Sequence, residues 1–234
     1  MSAFRIFAVD VKRGGCEPLF LGALILGFAM LIFPFFYLLN FGDYDSADIF
    51  KTSQAMIFPF AAPLLCALPY SCMKMRENST RFNNLMRMKM NRQGYILPRF
   101  FANGVIGAAV LMIPQILLLI VVLIYNPGIN STEIIRVILL AAPFGFAYSS
   151  FSYGLSFFNV KSYIPATAPQ ILYMLMVYAF PILGLTRFYP PLGISPWIYG
   201  SVYYSDLLLI SFAMTAAAAV MAFIGFLIER RREL

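Results

Sequence analysis

The sequence predicts an all-α integral membrane protein with six transmembrane helices. Of its 234 residues, 61% are hydrophobic and 12% are charged, about half the charge with which a soluble domain coats its surface. Each apolar run is near the roughly 20 residues that cross a bilayer. The six runs cover residues 18–39, 54–73, 100–125, 134–158, 164–185 and 207–228.

The basic residues are distributed unevenly between alternate loops, and this predicts the orientation. Every Lys and Arg except Lys51, Arg136 and Arg187 falls on one side of the six runs. Short basic loops stay in the cytoplasm, so we expect both termini there. The net charge of +7 therefore indicates membrane orientation, and we expect no nucleic-acid partner. One membrane domain, 1–234, is the simplest division of the chain.

Residues 1–15 have the pattern of an interfacial helix. A helix here would place Phe4, Phe7, Ala8 and Val11 on one face, as in helices that lie along a membrane surface. We therefore expect this segment to contact membrane lipid.

The polar residues inside the apolar runs are neutral. No Asp, Glu, Lys or Arg lies near the middle of a run, which disfavours a self-powered secondary transporter, because such proteins usually need an ionisable group at this depth. The neutral groups either line a path for an amphipathic molecule or join helix to helix. The candidate lining residues are Gln115, Tyr148, Ser149, Ser152, Tyr153, Ser156 and Gln170.

Residues 186–206, before the last run, are rich in aromatic side chains. Such rings settle at the membrane interface, so we expect the segment to enter it from the outer side. It either covers a transport path as a lid or forms a plain aromatic belt. The candidate lid residues are Tyr189, Trp197, Tyr199 and Tyr203.

Catalytic and cofactor signatures are missing from the sequence. There is no histidine, so the commonest general base and metal ligand is absent. There is no phosphate-binding loop, and the three cysteines lack metal-type spacing. We expect no catalytic residue, metal site or cofactor on this chain.

The basic loop at 74–94 is the most informative segment. On a helix Phe82, Leu85 and Met86 would share one face, with Arg81 and Arg87 beside it. This loop either docks a partner protein or lies against anionic lipid headgroups.

With these segments in this order, the chain resembles an ABC-2-type permease, the membrane subunit of a small bacterial ABC exporter. The residues that carry the resemblance are Glu77, Arg81, Leu85, Met86, Arg92, Tyr95, Ile96, Leu97 and Arg99. The resemblance implies a coupling helix between the second and third spans, which docks a separate ATPase subunit. By the same resemblance, the docking residues are Glu77, Arg81, Phe82, Leu85, Met86 and Arg87.

The resemblance also implies partners and a location. ATP and Mg would bind to the ATPase subunit, and a second permease chain would complete the path in the bacterial cytoplasmic membrane. The cargo would be an amphipathic or hydrophobic molecule such as a peptide toxin, bacteriocin or drug-like compound. The alternatives are a secondary transporter or channel that acts alone, and a membrane immunity protein that binds a toxin without moving it.

Overall fold

A computed structural model describes residues 3–41, 46–79, 92–127, 131–158, 163–199 and 204–231. Within these ranges the chain is helical and contains no strand, which confirms the all-α class. The helices are α1 (Ala3–Gly15), α2 (Pro18–Phe41), α3 (Ser46–Met56), α4 (Phe58–Ser79), α5 (Arg92–Tyr125), α6 (Ser131–Leu155), α7 (Ile164–Ile182) and α8 (Tyr204–Arg231). Short 3₁₀ helices lie at Ser156–Phe158, Thr186–Phe188, Pro190–Gly193 and Pro196–Tyr199.

In the described part of the chain, four helices are long and apolar enough to cross a membrane, and the number is five if a bent helix pair forms one span. The four are Pro18–Asn40, Ile96–Tyr125, Ser131–Phe158 and Ser205–Ile224. Helix α7 is not among them. A sixth span therefore stays a prediction.

The second apolar run, expected as one span over 54–73, begins inside α3 and continues into α4. The axes of Ala47–Met56 and Phe58–Pro69 differ by 60°. Pro59 explains the break, since a proline lacks the N–H that a continuous helix would need there and is tolerated in the first turn of a new helix. Helix α4 then continues to Ser79, so Glu77 lies at the end of this helix and not in a loop after it.

Helix α6 occupies the centre of the bundle. It packs against α4, α5, α7 and α8, and 61% of its apolar window is buried, against 22% for α8. Helices α5 and α6 approach most closely where Gly107 faces Gly145. A Cβ atom on Gly145 would lie 2.9 Å from the Cα atom of Ala108, so only glycine permits this crossing, as is common between membrane helices.

Helix α1 packs against α5 through the side that carries Ile6, Asp10 and Gly14. The apolar face expected to meet lipid points away from this contact. Phe4 is 78% exposed and Ala8 is also exposed, while Phe7 and Val11 are half-buried.

Candidate functional site

Pro63 interrupts the hydrogen-bond ladder inside the continuous helix α4, and this proline break, which is distinct from the bend between α3 and α4, lies at the centre of the candidate site. Pro63 has no N–H, so the carbonyl of Pro59 loses the donor that a regular helix would supply. The hydroxyl of Tyr173 on α7 donates to this carbonyl at 2.8 Å. A side chain from a neighbouring helix thus satisfies a backbone group that the proline leaves open.

Gln170, one turn before Tyr173 on α7, bonds to the same break. Its Nε2 donates to the Phe60 carbonyl at 2.7 Å, and its Oε1 accepts from the Leu64 N–H at 3.1 Å. A regular helix pairs these two backbone groups with each other. Two side chains of α7 therefore hold three backbone groups of α4.

A chain of hydrogen bonds joins α5, α3 and the segment 186–199. The Gln115 Nε2 donates to the Leu111 carbonyl at 3.0 Å, and the Gln54 Nε2 donates to the Gln115 Oε1 at 2.6 Å. The Trp197 Nε1 then donates to the Gln54 Oε1 at 2.7 Å. Both glutamines are fully buried, so these bonds satisfy groups that have no access to water.

Trp197 is held from its other side by a cation. The Lys51 Nζ lies 4.9 Å from the centre of the indole ring, within the range of a cation–π interaction. The segment 186–199 is thus attached to α3 through one aromatic residue. Next to it, residues 190–196 are buried, so this part of the segment packs into the protein.

Asn103 and Ser149 form a second polar contact, between α5 and α6. The Asn103 Nδ2 donates to the Ser149 carbonyl at 2.6 Å. The Ser149 Oγ lies 2.7 Å from the Asn103 Oδ1 and 2.9 Å from the Asn103 carbonyl oxygen. The Ser149 hydroxyl therefore joins α6 to α5.

The other serines proposed to line a path make similar bonds. Ser152 donates to the Pro165 carbonyl at 2.6 Å, and Ser156 donates to the Tyr153 carbonyl at 2.5 Å. The Ser152 bond joins α6 to α7 and favours the helix-packing interpretation of this residue, whereas the Ser156 bond stays within its own turn of the chain.

The predicted lining residues take part in several separate contacts within the described residues. Gln170 lies at the break in α4, and Gln115 lies in the chain that reaches Trp197. Tyr148 contacts Tyr173, with ring centres 5.7 Å apart in an edge-to-face arrangement. The Tyr148 hydroxyl has no hydrogen-bond partner among the described residues.

Several site residues were missed by the sequence analysis. Gln54 and Asn103 lie in apolar runs and carry the same signal as Gln115, a lone amide in an apolar setting. Tyr173 gave no separate signal, because tyrosine is common throughout the chain.

An ion pair between α1 and α5 was also missed. The Arg99 Nε lies 2.9 Å from the Asp10 Oδ2, and both side chains are buried. Arg13 lies on the exposed side of the same carboxylate, 3.7 Å from its Oδ1. The sequence feature that could have revealed this ion pair is Asp10, an acidic residue on the same helical face as Ile6 and Gly14, which are both buried.

The predicted docking residues Arg81, Phe82, Leu85, Met86 and Arg87 lie outside the described residues, as does Tyr203. Glu77 and Tyr199 have a described backbone only. Tyr189 is half-buried at the start of Pro190–Gly193.

Two apolar cavities open on the described surface. One, of about 160 Å³, lies between α6, α7, α8 and Pro190. The other, of about 410 Å³, is a groove between the start of α5 and the end of α8. Among the described residues, no group of three His, Cys, Asp or Glu side chains is placed to hold a metal ion.

Comparisons with protein-family models, curated proteins and solved structures found no match to this chain.

Proposed function

We propose that this chain is the membrane subunit of an ATP-driven exporter in the bacterial cytoplasmic membrane. Its cargo is an amphipathic or hydrophobic molecule of the class of peptide toxins, bacteriocins or drug-like compounds. A separate ATPase subunit binds ATP and Mg, and a second permease chain completes the path.

The observation that carries this proposal is the broken helix pair α3–α4. The pair bends by 60°, and the side chains of Gln170, Tyr173 and Gln115 bond to it from neighbouring helices. Broken helices line the binding sites of secondary transporters, so this feature supports a transport path, and the energy source is assigned from the charges. A helix held at its break by side chains can change its bend without losing its regular turns.

The charge distribution supports an external source of energy. The buried charged side chains in the described part of the chain are Asp10, Glu17 and Arg99, and they lie in α1, directly before α2 and near the start of α5. The buried polar groups deeper in the bundle are neutral amides and hydroxyls. Ion-coupled transporters usually place an ionisable group at that depth, so we assign the driving force to the partner ATPase.

We assign six spans to the membrane-inserted chain. The bent pair α3–α4 is the second, and α7 is the fifth, since its 19 residues correspond to roughly 28 Å of helix. Helix α1 lies on the cytoplasmic surface, and both termini are cytoplasmic. Residues 186–206 lie on the outer side, where Trp197 fixes the proposed lid to α3.

The docking surface for the ATPase is the coupling helix within 74–94. In the chain this segment lies between α4 and α5. It is therefore joined directly to α4, which contains the proline break, and to α5, which contains Arg99. Movement of the docked loop would change the bend of α4 and open a route beneath residues 186–199.

Co-purification with a phosphate-loop ATPase, sought first in the reading frames beside the one that encodes this chain, tests the proposal. The double variant Phe82→Asp and Leu85→Asp should release the ATPase, because it charges the apolar docking face. The matched control, Asn83→Asp with Asn84→Asp, adds the same two charges away from that face and should retain it. Equal retention by both variants would contradict the docking assignment, and an immunity protein would bind its toxin without retaining an ATPase.

A further inference from the structure

The smaller cavity opens on the exposed apolar surface between α7 and α8. Tyr148 and Tyr173 form its floor, and each is only 2% exposed. Leu172 and Ala217 form its rim and are exposed. In a membrane this rim contacts lipid, so a molecule dissolved in the bilayer can enter the cavity from the side.

The size and lining of the cavity define its ligand. A cavity of about 160 Å³ matches the roughly 150 Å³ apolar cavity that holds one benzene molecule in another protein. Its lining side chains are apolar or aromatic. It fits an aromatic or branched apolar group of about six carbon atoms and is too small for a whole lipid acyl chain.

Tyr173 belongs both to this cavity and to the break in α4. Its ring lines the cavity, while its hydroxyl donates to the Pro59 carbonyl at 2.8 Å. A group that enters the cavity therefore contacts the same side chain that holds the broken helix.

We propose that this cavity binds an aromatic or branched apolar group of the amphipathic cargo, and that Tyr173 transmits its occupancy to the break at Pro63. The inference rests on the proposed export function, to which it adds a cargo-binding site on the lipid side. The site binds the apolar part of the cargo. The hydrogen bond from the Tyr173 hydroxyl to α4 transmits the effect of that binding to the helix.

Photolabelling of the full chain in lipid nanodiscs tests the binding site. The probe is 3-trifluoromethyl-3-phenyldiazirine, a benzene-sized aromatic compound that partitions into membranes. We expect saturable labelling of Tyr148 and Tyr173, in contrast to non-saturable labelling of lipid-exposed Ile25, which is 70% exposed. Labelling of the two tyrosines that rises linearly with probe concentration, as at Ile25, would overturn the proposal.

Variants at the rim supply matched controls. Ala217→Trp should fill the cavity and abolish saturable labelling, whereas Ala216→Trp, also exposed but outside the lining, should preserve it. Leu172→Trp, with Leu175→Trp as its control, gives a second pair if the first pair does not fold. Equal labelling of a rim variant and its control would contradict the assignment.

Hydrogen exchange tests the transmission step. The same probe, kept in the dark at a saturating concentration, should change the exchange rate of the Leu64 amide severalfold in the native chain. Tyr173→Phe keeps the ring and should keep saturable labelling, but should lose this change. A change that persists in Tyr173→Phe, or that is absent from the native chain, would overturn the transmission role.

These measurements use the permease alone, so their outcome is separate from that of the ATPase test. Saturable labelling with no associated ATPase would contradict the exporter and retain the site. An associated ATPase with no saturable labelling would contradict the site and retain the exporter.

Discussion

The guanidinium Nε of Arg99 lies 2.9 Å from the Oδ2 of Asp10, and both side chains are buried between α1 and α5. The pair joins the proposed interfacial helix to the helix that leaves the proposed docking loop. Breaking a buried ion pair is costly, because a charge then stays in a poorly solvated place.

Asp10→Asn should therefore lower the free energy of unfolding by roughly 3–5 kcal/mol. Asp48→Asn is the matched control, since Asp48 is 62% exposed and lies 3.9 Å from Lys51, and it should cost less than about 1 kcal/mol. The measurement is unfolding in mixed micelles by titration with sodium dodecyl sulfate. Similar losses of unfolding free energy in the two variants would show that the buried ion pair stabilises the fold no more than the exposed pair does.

Tyr173→Phe should cost about 1 kcal/mol of stability in the native background, as expected for one hydrogen bond between membrane helices. In a Pro63→Ala background it should cost almost nothing, because the substituted alanine supplies the N–H that the Pro59 carbonyl needs. The same titration, performed as a double-mutant cycle, measures this difference. Additive losses of stability would mean that the Tyr173 hydroxyl does not compensate for the N–H that Pro63 lacks.

Gln54→Leu should loosen the segment 186–199 from α3, because the Trp197 N–H loses its acceptor. Trp197 is the one tryptophan in the sequence, so its fluorescence reports this segment directly. We expect stronger quenching by acrylamide and emission at longer wavelength. The control is Asn40→Leu, which removes an exposed amide that bonds only to its own helix in the described structure. If the Trp197 emission spectrum of this variant matched that of Gln54→Leu, the hydrogen bond from Trp197 to Gln54 would not be what holds the segment.

Gly145→Ala should separate α5 from α6, because the added Cβ would lie 2.9 Å from the Cα atom of Ala108. Overpacking of this kind costs roughly 1–3 kcal/mol. Gly22→Ala, whose Cβ would meet nothing within 4 Å, should be neutral or slightly stabilising. Unfolding measurements on the two variants compare them, and a neutral Gly145→Ala would argue against the close crossing.

The sequence predicted the helices better than their contacts. Apolar length located α2, α5, α6 and α8, since crossing a bilayer requires long uncharged helices. Pro59, Pro63 and Pro69 in the second run predict a bent helix, and the pair Ala47–Met56 and Phe58–Pro69 bends by 60°; apolar length alone did not show that the run divides into two helices.

The polar contacts depend on which helices become neighbours, and a single sequence does not reveal this. Gln170 was identified as a buried polar group, but its partners Phe60 and Leu64 lie more than a hundred residues away in the chain. Asp10 was overlooked because its partner Arg99 was counted with the basic loop.

ATP-dependent transport in inside-out vesicles tests the central claim most directly. Vesicles that contain this chain together with the proposed phosphate-loop ATPase partner are given a fluorescent amphipathic dye, rhodamine 6G, and its accumulation is measured with and without ATP. We predict accumulation that needs both ATP and the ATPase. Accumulation against a gradient by this chain alone, driven by a proton or sodium gradient, would contradict the account.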